Sequence, residues 1–450
     1  MTMTDLDQTA LLEWPQPRSR LVGLFTDLTL YAATLELALE MGSISTASLK
    51  RELPERLQHM RLVQHHAERT VREVLRELRL FGWIETSSDE PVALAFHTLT
   101  SEGAEALEVA KTNQRAFRRL LLMQLHRTYV IPGWFVDRLW KINPTGQGEV
   151  ILPSPPPGWR TSVRLWDDHE WSTELEQITC GIASKAKAAN ASAFPIDVSI
   201  WTAAVRASWN RLSNLRPRQP NAQPSASFSA RSRLTEAMRE ATVKLLFDRR
   251  PLGETIADFP GDRPPVYPRT FRGWCPRLEA VEIVFYTDWH PWISGRLLFP
   301  TAVFRADAPP ERFERAPGIF SPKGTPFYLH QPSWKSIRGA FLKTLVSVHQ
   351  RLASPLGIMY ISLLSLRDEV CRQLRLSAYS FDRFLELALK DLPSDDFHWS
   401  VAVETDIRKE QSSASGQFRR PVYIGGVAHS LIALARLHSD QFKENKVVSQ

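Results

Sequence analysis

Residues Arg69–Leu107 read RTVREVLRELRLFGWIETSSDEPVALAFHTLTSEGAEAL, and no other stretch of the chain restricts the fold so strongly. Val71, Val74, Leu75 and Leu78 recur at helical spacing. Gly82 stands where a helix in that phase stops. Trp83-Ile84-Glu85-Thr86 follows as a short strand, Ser87-Ser88-Asp89-Glu90-Pro91 as a polar turn, and Val92 to Thr98 as a second strand. Leu99-Thr100-Ser101-Glu102-Gly103 then opens a new helix with Thr100 as its N-cap. The spacing predicts helix, hairpin and helix in that order.

The pattern L-x-x-x-G-W-I-E followed by L-T-x-x-G, over about residues 25 to 110, resembles that of the winged helix-turn-helix family of prokaryotic regulators. The resemblance implies that the helix before the hairpin is a recognition helix. Winged helices also serve as protein-protein and dimerisation modules, so fold alone does not choose between the two uses. Arg69, Arg72, Arg76 and Arg79 lie at helical spacing opposite the Val/Leu face, a placement suited to DNA phosphates in a major groove. The competing reading is a solvated face neutralised by Glu68, Glu73 and Glu77. The turn of the hairpin carries Asp89 and Glu90 and no Lys or Arg, poor equipment for a phosphate backbone.

Ahead of this motif, residues 1 to 24 read as a loose leader, Leu28 to Met41 as an amphipathic helix, and Ser43 to Thr46 as the cap of a second helix through Arg56. His59, His65 and His66 have no third ligand spaced to join them and read as surface histidines. Behind it, Ala104 to Arg127 continues as a helix whose Leu107, Ala110, Phe117, Leu120, Leu121 and Leu125 form a stripe for a partner helix. The resemblance implies that this trailing helix dimerises.

Residues 129–212 form a Trp-rich helical middle region. Trp interleaved with Arg can stack on exposed bases, although Trp134, Trp201 and Trp209 at irregular spacing suit core packing better. Residues 213–233 are a basic, Pro- and Ser-rich linker that divides the chain into two halves. Residues 234–335 form a Pro-rich α+β region with strands over Leu278 to Thr287 and Arg296 to Arg305. Glu279, Glu282, Asp288 and His290 are where a metal-dependent nuclease would sit, though they match no nuclease signature and a plain hairpin accounts for them equally.

The C-terminal part repeats the first order of elements. Helices are expected over Ser336 to Arg351, Leu366 to Leu374 behind Ser365, and Phe381 to Leu392 behind Ser380. A strand over Phe397 to Asp406 is met by a return strand over Arg420 to Gly425. Residues 336–435 thus resemble a second winged helix, followed by a polar tail, 436–450. Arg408, Lys409, Arg419 and Arg420 flank its tip, where a wing meets the minor groove or the phosphates. Its recognition-type helix offers Arg383 and Lys390 beside Asp382, Glu386 and Asp391. The alternative is a basic loop on a module that docks onto another protein.

Composition sets the outer bounds. A chain of 450 residues with 43% hydrophobic content has room for about three domains. The balance of 56 Lys plus Arg over 49 Asp plus Glu gives +7 and favours nucleic acid over acidic partners. Three separated cysteines fit reduced thiols in a cytoplasmic protein, and no apolar run is long enough to span a bilayer. No phosphate loop, catalytic triad, metal cluster or dinucleotide fingerprint is visible, so no cofactor, metal or catalysis is expected. The expected class is mainly α with small β-hairpins (α+β), two winged-helix modules (25–128 and 336–435) separated by a Pro/Trp-rich middle. The expected function is binding of double-stranded DNA within a prokaryotic DNA-handling or antiviral defence complex. A non-catalytic adaptor, a self-associating transcription regulator and, behind both, a metal-dependent nuclease are the alternatives.

Overall fold

The computed structural model describes residues 29–56, 64–87, 95–129, 131–155, 171–214, 230–248, 268–287, 290, 292–293, 295–301, 303–305, 316–320, 326–329, 332–354, 359–392, 398–405 and 422–436. The helices are α1 (Thr29–Met41), α2 (Thr46–Arg56), α3 (Gln64–Leu80), α4 (Ser101–Thr112), α5 (Gln114–Thr128), α6 (Ile131–Ile142), α7 (Thr173–Ala189), α8 (Val198–Asn214), α9 (Ala230–Val243), α10 (Pro268–Ala280), α11 (Trp334–Ala353), α12 (Leu363–Leu374) and α13 (Ala378–Asp391). The strands are β1 (Ile44–Ser45), β2 (Ile84–Thr86), β3 (Phe96–Leu99), β4 (Val150–Pro153), β5 (Val284–Tyr286), β6 (Gly295–Pro300), β7 (Val303–Arg305), β8 (Ala316–Phe320), β9 (Pro326–Leu329), β10 (Tyr360–Ser362), β11 (Trp399–Glu404), β12 (Val422–Ile424), β13 (Val427–His429) and β14 (Leu431–Arg436). The protein is mainly helical with small antiparallel sheets, and no described helix is long and apolar enough to cross a membrane.

Two compact units are each built from several stretches of chain. The first takes 1–137, 247–282 and 317–327, and the second takes 138–246, 283–316 and 328–450. The expected linker over 213–233 therefore does not separate two halves. Ser213 and Asn214 end α8, residues 230–233 open α9, and these helices pack together in the second unit. The Arg233 guanidinium lies 5.0 Å above the Trp209 ring. Composition marks where a chain can run irregularly, but it carries no information on which helices the irregular stretch connects.

In the first unit, α1, α2 and α3 surround a three-stranded antiparallel sheet of order β1-β3-β2. Val71, Val74, Leu75 and Leu78 are buried on α3 with Leu30, Leu35, Leu49 and Trp83, as the helical spacing requires. Each such side chain contributes about 1.5–3 kcal/mol of transfer free energy. Gly82 has φ 71, the left-handed value that ends α3 and turns the chain into β2. Thr100 accepts from the Gly103 amide at 3.0 Å and donates to the Gly82 carbonyl at 2.7 Å, fixing α4 on that turn.

In the second unit, α11, α12 and α13 surround a sheet of order β10-β14-β11, so the first, last and middle strands lie side by side as they do in the first unit. The caps fall earlier than expected: Ser333 caps α11, Ser362 caps α12 and Ser377 caps α13. The strand that returns to β11 is β14, with Val401 opposite Leu434, and not residues 420–425. Val422–Ile424 instead pairs with Val427–His429 across Gly425-Gly426, at φ 57 and 82. Two glycines at positive φ make the tight hairpin turn that an alternation count overlooks.

Of the strands expected over 278–287 and 296–305, the first is shortened to β5 because residues 278–280 end α10, and the second divides into β6 and β7; β5 and β6 are joined in the second unit by β4 in the order β4-β6-β5. This is a third sheet with its first, last and middle strands side by side. The hydrogen bond that closes it, Thr301 amide to Ile283 carbonyl at 3.0 Å, corresponds to Thr100 amide to Trp83 carbonyl at 3.1 Å. Trp201 and Trp209 are buried among α7, α8 and α9, and the Trp201 indole donates to Thr242 at 2.8 Å. With Trp134 also buried, these three rings are core and not a platform for bases. A π-helical turn, Lys244–Asp248, follows α9, and the buried Arg138 guanidinium holds its Leu246 carbonyl at 2.9 and 2.5 Å.

Candidate nucleic-acid interface

The apolar stripe of α3 contains one acid. Glu77 follows Val74 by three residues and precedes Leu78, so its spacing points it inward, and it is buried. Tyr31 donates to it at 2.6 Å, Tyr129 at 3.0 Å and Arg277 at 2.5 Å. Arg277 also lies 4.4 Å above the Trp274 ring. Burial, then the charge of Glu77, raises the pKa of both tyrosines. Burial works against the charge on Arg277, but Glu77 and the two tyrosines outweigh it and raise its pKa. The charge of Glu77 is matched within the core and neutralises nothing outside.

On the opposite face Arg72, Arg76 and Arg79 are exposed, and none makes an ion pair among the described residues. Arg79 is close enough to His97 on β3 to act on it. Burial, and then Arg79, pushes His97 down to about 4. His97 Nε2 meets the Thr46 hydroxyl at 2.8 Å and Nδ1 the Thr86 hydroxyl at 3.0 Å, so one ring ties the start of α2 and strand β2 to the central strand. The side chain of Arg69 and the hairpin tip with Asp89 and Glu90 lie outside the described residues.

The corresponding helix of the second unit is α13. Arg383 is exposed, while Lys390 is paired with Glu386 at 2.9 Å. Asp391 accepts from the Trp334 indole at 2.6 Å, and the buried Asp382 accepts from the Tyr423 amide at 3.1 Å. The acids beside Arg383 are thus occupied in holding α11 and β12. Arg408, Lys409, Arg419 and Arg420 lie outside the described residues.

Glu282 and His290, two of the residues imagined for a nuclease metal, each have another partner. His290 is buried, with Nε2 3.0 Å from the Glu369 carboxylate. Burial alone would raise the Glu369 carboxyl, but His290, Gln373 and Arg372 hold it down at about 2. Glu282 pairs with Arg118 at 3.1 Å. Asp288 lies outside the described residues, and among the described residues no set of three His, Cys, Asp or Glu is disposed to hold a metal ion.

The sequence reading sets Glu77 on the solvated face and passes over Glu369, and both acids are buried. Each stands on an apolar stripe, Glu369 between Leu366 and Val370, and a charge in that position is a readable signal of a buried pair. Compared with protein-family models, curated proteins and solved structures, the chain matches none of them.

Proposed function

We propose that this chain binds double-stranded DNA through two winged-helix modules, with α3 in the major groove, as a subunit of a prokaryotic DNA-handling or antiviral defence complex and without catalysis of its own. The observation that carries the reading is the charge arrangement of α3. Arg72, Arg76 and Arg79 face outward without ion pairs among the described residues, while Glu77, counted as their neutraliser, is turned inward to Arg277. A row of unpaired guanidiniums on a helix preceding a hairpin suits phosphates and base edges. The shared element order of the two units supports treating both as modules of one kind.

A second reading, protein adaptor, is favoured by one observation. Leu39, Met41 and Phe96 are exposed on the first unit, at the end of α1 and on β3. Apolar side chains of that size suit a protein partner better than phosphates.

Filter binding of a short duplex at several salt concentrations separates the readings. Loss of Arg72 or Arg76 is expected to weaken binding by about 1–3 kcal/mol each where they read bases. Equal losses on random DNA assign them to phosphates. Replacing Arg408, Lys409, Arg419 and Arg420 together with Ala is expected to flatten the salt slope by up to about 3.6. Undiminished affinity in both sets removes these residues from the interface, and a parent chain that binds no duplex leaves the adaptor. Plasmid incubated with the chain and Mg²⁺ or Mn²⁺ is expected to stay intact.

A further inference from the structure

In the second unit the turn after α6 and the C-terminal end of α12 enclose an open recess of about 340 Å³. Its wall carries Thr145, Gly146 and Gln147 from the turn, the carboxylate residue Glu149 behind them, Arg372 and Gln373 from α12, and Arg375 at its C-cap. The guanidiniums are held from behind by buried acids. Glu149, 3% exposed, lies 3.1 Å from Arg372 Nε and 3.1 Å from Arg375 Nη2. Glu369, 1% exposed, lies 3.5 Å from Arg372 Nη1 and 2.7 Å from Arg351. Arg375 also donates to the Gly146 carbonyl at 2.9 Å and lies 4.8 Å above the Phe299 ring. Arg372 and Arg375 nevertheless keep 28% and 20% of their side-chain surface open. Leaving His290 aside, three guanidiniums (Arg351, Arg372, Arg375) stand against two buried carboxylates (Glu149, Glu369), a local excess of one positive charge.

Of the residues in the wall, Gln147 has left-handed backbone at φ 53, a conformation that non-glycine residues rarely adopt, and Arg375 shares that value as the left-handed cap of α12.

We propose that this recess binds a phosphate group, with Arg372 and Arg375 as its charged donors and Thr145 and Gln147 completing its shell. Glu149 positions the guanidiniums from the buried side and leaves their outward N–H groups to the ligand. Paired planar guanidiniums match the oxygens of a phosphate, and neutral donors beside them favour an anion with three or four oxygens over a carboxylate with two. The recess shares no residue with α3, so this site and the DNA reading fail separately.

Isothermal titration of the full chain with inorganic phosphate and with adenosine monophosphate, at ionic strength held constant with chloride, tests the proposal. Saturable binding at one site is expected, weakened about 10–100-fold in Arg372→Gln by loss of a charge-assisted hydrogen bond. Thr145 is exposed, so Thr145→Asp is expected to leave thermal unfolding unchanged and to weaken binding by charge repulsion. Arg72→Ala is expected to bind phosphate as the parent does. No saturable binding to the parent chain overturns the site, and so does unchanged affinity in Thr145→Asp. Adding a short DNA duplex identifies the source: release of bound phosphate assigns the recess to backbone phosphates, and coexistence assigns it to a free phosphate or nucleotide.

Discussion

Gly103 shows at single-residue scale why the motif that begins at Gly82 ends in glycine. A Cβ at Gly103 would stand 2.1 Å from the Trp83 carbonyl oxygen, which is backbone and has nowhere to go. Gly103→Ala is therefore expected to push α4 off the turn and cost about 1–3 kcal/mol, read as a lower urea midpoint. A midpoint within error of the parent would show that the close approach is not sustained in solution. The motif was legible because backbone geometry forces residue identity at Gly82, Thr100 and Gly103. The core pairing of Glu77 was not, because its partner Arg277 is 200 residues away and neither residue has a local pattern that names the other. For the same reason His290 read as a possible ligand, when its neighbour is Glu369 on a distant helix.

At the scale of elements, most helices were legible and their starts were not. Ser377 and Ser380 both precede apolar residues of α13. The cap is Ser377, which accepts from the Ser380 amide at 3.0 Å, because the helix begins with Ala378 and Phe381 already buried. The return strand was misplaced because β14, LIALAR, has no alternation to display, whereas 420–425 precedes a glycine pair that looks like an end. In the first sheet the element scale also sets a pH response. His97 near 4 and the buried His126, which burial holds at about 4, are neutral when folded and titrate near 6.5 when unfolded. Above that range neither state binds the proton and the histidines are indifferent. As pH falls from about 6.5 to 4 the unfolded chain takes up protons that the folded chain refuses, so stability drops by at most about 3 kcal/mol per ring. Chemical unfolding of the parent and of His97→Gln at pH 7 and pH 4.5 measures this. A parent whose stability is the same at both would contradict the assignment of neutral, buried rings.

Among the described residues the same sheet order occurs four times, in β1-β3-β2, β4-β6-β5, β7-β9-β8 and β10-β14-β11. Only the first and the last lie in the modules expected from the sequence, because β4 lies far in sequence from β5 and β6, and its own Pro153 with the following Pro155 suits a connector. The interleaving of the two units also puts a clock on the newborn chain. At about 5–20 residues per second, residue 277 is synthesised roughly 10–40 s after residue 77. Through that interval the first helices emerge with an acid on the face they must bury and no cation to meet it. A fragment ending at residue 137 is expected to be cut readily by protease where the full chain resists, and Glu77→Leu is expected to restore resistance to the fragment while adding none to the full chain. If the unsubstituted fragment already resists as the full chain does, Arg277 is not what completes the unit. Until the ribosome has passed residue 277, then, the N-terminal part is a candidate for chaperone custody, and the delay is written into the distance between one carboxylate and its guanidinium.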